Sequence, residues 1–173
     1  MGLFETIKYK VVKKERRIEI REYEDILLAS TKTVFNNARD TGFSNVFNYI
    51  SGDNLEKAKI SMTTPVVTYE EEGKLVTGFY VPSKYSEENI PKPSNEKVFI
   101  SKMNKSFYGV IRFSGRLTDK NFDHYDNILV DYLLDNQYEI LSARIIMRYQ
   151  PPFIPAFLRR NEIAYQVRRK NAK

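Results

Sequence analysis

Apolar and charged residues alternate over residues 17–23, where Ile18 and Ile20 sit between Arg17, Glu19 and Arg21, and the run Ile26-Leu27-Leu28-Ala29-Ser30-Thr31 extends a β-rich stretch to Val34. This predicts a strand pair or one bent strand over 17–34. The period then lengthens: Phe43, Val46, Phe47 and Ile50 share one helical face, with Ser44 as the predicted cap and Gly52 as the stop. Residues 58–69 and 74–81 are β-patterned around Glu71-Glu72-Gly73, where glycine supplies the positive φ of a tight hairpin. Residues 82–96, with Pro82, Pro91 and Pro93 among polar residues, read as a surface crossover between two halves.

The second half repeats the order. Strand-like runs over 98–103 and 107–115 flank a turn at Asn104-Lys105. Thr118 caps a helix in which Phe122, Tyr125, Leu129, Tyr132 and Leu133 lie opposite Asp123, Asp126 and Asp131, ending near Asn136. Residues 143–149 and 163–167 are apolar strands separated by a proline-rich loop. Extended segment, amphipathic helix and two strands recur in about residues 15–82 and 96–168, which predicts an α+β fold of two βαββ repeats with two flanking helices on a sheet or flattened barrel.

Composition narrows the classes. A chain of 173 residues with 42% hydrophobic and 29% charged content has the size and apolar share of one domain. No apolar run approaches the roughly 18 residues needed to cross a bilayer. The absence of cysteine removes disulfides, thiolate nucleophiles and sulfur-ligated metals and suits a reducing compartment, so a cytoplasmic location is expected. Twenty-eight Lys and Arg against 22 Asp and Glu give a net charge of +6, which favours anionic partners. Met1-Gly2-Leu3-Phe4-Glu5-Thr6 fits the permissive N-myristoylation pattern, a minor expectation.

Familiar catalytic devices are missing from the sequence. His124 is the only histidine, so neither a Ser-His-Asp triad nor a multi-histidine metal site can form within the chain. Seven scattered glycines make no phosphate loop, and no pattern of a nucleic-acid-binding module accompanies the 12 Tyr and 11 Phe, so nucleic acid is not an expected partner. Two segments combine apolar groups with cations: residues 59–66, containing Lys59 and Met62, and residues 149–162, containing Phe157, Arg159 and Arg160. Such pairing suits an amphiphilic acid.

Those same segments carry a resemblance. Lys59-Ile-Ser-Met-Thr-Thr-Pro-Val66 resembles the Lys-Ile-x-Met-Thr-x-Pro-Val signature of the SOUL haem-binding family, and residues 148–163, RYQPPFIPAFLRRNEI, resemble a second family segment, with Gln150 for the usual Asn. Residues 18–23 and 43–52 are similar to its early strand and first helix. The resemblance implies a distorted barrel of two βαββ repeats and a hydrophobic tetrapyrrole cleft around the first helix, with basic residues near the propionates. The expected lining is Phe47, Ile50, Met62, Phe79 and Phe157, with Lys57, Lys59, Arg159 and Arg160 facing the propionates. The proposed axial histidine of part of the family is replaced here by Glu24, which leaves Met62 or Tyr149 as iron ligands, or capture without an axial bond.

Two other functions are open at this point. The fold is also similar to gyrase-inhibitory-protein-like effector-binding domains, some of which hydrolyse small molecules. Glu162 would then be a general base and Tyr149 an oxyanion donor. The second is a protein-interaction module using the helix after Thr118 or the proline-rich loop.

Overall fold

The computed structural model describes residues 4–34, 42–116, 118–151 and 153–170; Gly2 of the myristoylation pattern lies outside them. In chain order the elements are β1 (Glu5–Thr6), β2 (Lys10–Glu15), β3 (Ile18–Tyr23), β4 (Ile26–Val34), α1 (Phe43–Ile50), β5 (Thr63–Thr64), β6 (Val66–Glu71), β7 (Lys74–Tyr80), β8 (Val98–Met103), β9 (Ser106–Phe113), α2 (Asp119–Asp135), β10 (Tyr138–Ile140), β11 (Ile145–Arg148), a 3-10 turn (Ala156–Leu158) and β12 (Asn161–Arg169). They form two compact units, one of residues 1–7 and 25–104, the other of residues 8–24 and 105–173.

In the first unit the strand order is β6-β7-β4-β8, all antiparallel, beside a short parallel pair of β1 and β5. The hairpin β6-β7 closes through Glu72 (φ 50°) and Gly73 (φ 75°), the two positive φ angles that a tight two-residue turn requires. Helix α1 packs Val46, Tyr49 and Ile50 on Ala29, Ile60, Phe79 and Val98. Its cap differs from expectation: Gly42, at φ 72°, precedes the helix, and Ser44 lies inside it with no side-chain cap. The left-handed cap conformation excludes most side chains other than glycine.

In the second unit the order is β2-β3-β9-β12-β11, with β10 also paired to β12. Thr118 caps α2 as predicted, its hydroxyl accepting from Asn121 N at 3.2 Å. Leu129 and Leu133 bury against Ile111, Phe113, Ile163 and Val167. Gly109 of β9 permits this approach, because a Cβ there would lie 2.5 Å from Leu133 Cδ2.

The two βαββ repeats are therefore present, β4-α1-β6-β7 and β9-α2-β11-β12, and the class is α+β. Among the described residues the strand order of each unit is that of an open sheet. Each repeat takes its fourth strand from the segment that precedes the other repeat in sequence, β8 beside β4 and β3 beside β9. For this reason β3 and β4 are not a strand pair, and β8 and β9, although joined by a two-residue link, pair with other strands instead.

Candidate functional site

The residues expected to form one site fall into both units. In the first, α1 is too short to bury a full apolar face, and its stripe divides. Val46 and Ile50 turn into the core, where Phe79 is also buried, while Phe43 and Phe47 remain 38% and 47% exposed. Phe43 and Phe47 stack at 6.2 Å with an interplanar angle of 17°, and Phe43 rests on Phe79 at 5.1 Å. Met62 is half-buried against the same cluster. The outcome is an aromatic shelf seated on a rigid core.

The loop after α1 is braced against the helix end. Buried Asn54 donates to the carbonyls of Tyr49 and Ala58 at 3.0 and 2.8 Å and accepts from Ala58 N, while Ile60 N donates to Ile50 O at 2.8 Å. Tyr49 adds a bond from its hydroxyl to Pro91 O, and burial pushes its pKa up to about 12, so it acts as a neutral structural phenol. This frame holds the exposed Lys57, at φ 54°, and the exposed Lys59 in a fixed loop.

The second unit contains a buried charge cluster. Glu162, fully buried in β12, accepts at Oε1 from Arg21 Nη1 (2.8 Å) and the Tyr149 hydroxyl (2.8 Å), and at Oε2 from Arg21 Nη2 (2.7 Å) and Arg160 Nε and Nη2 (3.2 and 3.0 Å). Arg21 also donates to Tyr23 and Glu19 and lies 4.0 Å from the Tyr9 ring centre, while Arg160 stacks on Tyr149 at 3.9 Å. Burial opposes the Glu162 charge, but the hydrogen bond and charge of Arg21, with Arg160 and Tyr149, outweigh it and hold the carboxyl below its usual range. Burial drives the Tyr149 hydroxyl strongly upward.

This geometry does not support the hydrolytic roles. A general base needs an accessible lone pair and a pKa near the working pH. Glu162 offers five donors' worth of occupied acceptor sites and a lowered pKa. Tyr149 already spends its proton on Glu162, and its raised pKa opposes the phenolate that iron ligation would require. Arg160, two positions away, is a partner visible in the sequence; Arg21, 141 positions away, is not.

Phe157, Arg159 and Arg160 border a cleft of about 620 Å³ within the second unit, together with Lys14, Arg16, Arg17, Glu19 and Arg112. The volume is in the ordinary range for small-molecule sites, about 300–1,000 Å³. The β2-β3 turn at Arg16 and Arg17 was not among the expected site residues; its paired basic residues were the available signal.

Among the described residues no group of three or more His, Cys, Asp or Glu could hold a metal ion. His124 is exposed on α2 with its ring against Tyr125. Of the groups expected to meet a tetrapyrrole, the first unit holds the exposed Phe47 stacked with Phe43, the half-buried Met62 packed on the core, and the exposed Lys57 and Lys59.

Comparison with known proteins places the chain. Heme-binding protein 2 from Mus musculus and from Homo sapiens are each 34% identical to it over 92 residues, a match spanning 47% of this chain and 44% of theirs, less than half their length. Among solved structures, the C-terminal domain of EcmrR superposes with a TM-score of 0.68 at 9% identity, covering 93% of this chain and 98% of that one. A hydrolase from Listeria innocua superposes at 0.67 and 7% identity, covering 91% and 94%. At these identities the superpositions show a shared fold alone. The profile of the SOUL heme-binding protein family matches residues 4–166, nearly the whole chain, and the protein belongs to that family.

Proposed function

We propose that this protein binds haem or a related tetrapyrrole on the α1 shelf of its first unit, as a carrier or buffer. The observation that carries this reading is the stacked, solvent-exposed pair Phe43 and Phe47, of which Phe43 rests on the buried Phe79. Family membership and the names of the relatives point to the same ligand.

A planar macrocycle has most to gain from a flat aromatic face. Covering roughly 300 Å² of ring at about 25 cal/mol per Å² contributes about 7 kcal/mol before ordering costs, the largest single share of the roughly 8 kcal/mol net that micromolar affinity requires. The two lysines attract propionates but, being exposed, contribute mainly through screened, salt-sensitive attraction. Ile50 and Phe79 support the shelf from beneath. Met62 would be the side chain nearest in kind to an iron ligand, and iron would supply Lewis acidity there. The cysteine-free sequence suits action in the cytoplasm.

The test is a Soret titration with hemin. Phe47→Ala should weaken binding at least threefold while leaving thermal unfolding unchanged, since Phe47 is half-exposed and outside the core. Unaltered affinity in Phe43→Ala, Phe47→Ala and their double variant would move the site elsewhere.

A further inference from the structure

The second unit's cleft has a chemistry of its own. Six cations, Lys14, Arg16, Arg17, Arg112, Arg159 and Arg160, line it against the single carboxylate of Glu19. Lys14 stands 3.9 Å from Glu19, and Arg160 is held from below by Glu162, so the lining carries a large surplus of positive charge. Five of the six are arginines, whose planar donor forks match phosphate oxygens in bidentate fashion.

The rim adds a second feature. Phe153 and Phe157 are 81% and 75% exposed, the most exposed of the large hydrophobic residues described, and the adjacent Leu158 is 60% exposed. They are not on a loose end. Gly115 N donates to Ala156 O at 2.9 Å, Leu158 N to Pro155 O at 2.9 Å and Arg159 Nε to Ile154 O at 2.8 Å, and Gln150 accepts from Arg160 N. Phe157 and Leu158 thus line the cationic hollow while remaining exposed, and Phe153 is exposed a few residues earlier in the chain. Apolar tips next to a polybasic surface are how a peripheral protein engages an anionic bilayer: the tips enter the interface and the cations meet the headgroups.

We propose that this cleft binds the phosphorylated headgroup of an anionic membrane lipid, with Phe153, Phe157 and Leu158 inserted at the interface. The full chain would then sit on the membrane surface rather than span it. The cleft volume of about 620 Å³ accommodates a headgroup bearing more than one phosphate, which fixes a phosphoinositide as the probe.

The experiment is co-flotation of the full chain with phosphatidylcholine vesicles, pure or doped with phosphatidylinositol bisphosphate. Binding should require the doped vesicles and weaken as salt is raised. Arg16→Gly should reduce it about tenfold without loss of thermal stability, because Arg16 sits at φ 55°, where glycine relieves strain. Phe153→Ser with Phe157→Ser should reduce it as much, and, both being exposed, leave the fold intact. Absence of binding to doped vesicles, or equal binding to pure phosphatidylcholine, would overturn the proposal. So would binding of soluble inositol trisphosphate as tight as that of vesicles and indifferent to the two phenylalanine changes, which would mark a free-phosphate site.

Discussion

Glu162 shows how a residue that reads as catalytic becomes structural. Its position two residues after Arg160 makes a local ion pair legible, but the groups that settle its role come from β3 and from the end of β11. Removing one partner of a buried, hydrogen-bonded pair leaves the other charge stranded, at a cost of about 3–5 kcal/mol. Urea unfolding of Glu162→Gln should show a loss of that order, and the double variant Arg21→Met with Glu162→Leu should lose less than the sum of the single changes. The pH dependence has a definite sign. Because the folded carboxyl titrates below the ordinary value of 4.5, its stabilisation is complete above pH 4.5 and is lost as pH falls through the depressed folded value. Tyr23 and Tyr149 are raised above 10.0, mainly by burial, so their contribution holds below pH 10 and is lost on going more alkaline. Urea midpoints measured across pH should therefore fall on both flanks, and Glu162→Gln should flatten the acid one.

At the scale of elements, α2 and the β6-β7 hairpin were legible because local chemistry specifies them: a threonine cap with a clean apolar stripe, and a glycine turn between alternating strands. β2 was not, since Lys10-Val-Val-Lys-Lys-Glu15 is exposed along its whole length and carries no burial pattern to read. Among the described residues it pairs with β3 alone, as an edge strand whose lysines discourage further pairing. β12 was read as shorter than it is, because Asn161 and Glu162 look like loop residues until their buried partners are known. Packing of α2 on β9 hangs on Gly109. Gly109→Ala should destabilise the protein by about 1–3 kcal/mol through overpacking against Leu133, measurable as a lowered unfolding midpoint.

At the scale of the molecule, the two βαββ repeats could be read from the order of periods along the chain, but the exchange of strands β3 and β8 could not. Nothing in a strand's own sequence names its neighbour when both faces of the choice are equally apolar. The candidate site was legible as residue types, which are divided between the two units. Phe47, Met62, Lys57 and Lys59 lie about the α1 shelf, Ile50 and Phe79 lie under it, and Phe157, Arg159 and Arg160 line the cationic cleft of the other unit. We propose that the first unit captures a tetrapyrrole by its ring. Parallel titrations of the purified protein with hemin and with metal-free protoporphyrin test it most directly. Saturable binding of both, with affinities within about threefold of each other and equally weakened by Phe47→Ala, is the predicted result. Binding of hemin alone, or of neither, would contradict it.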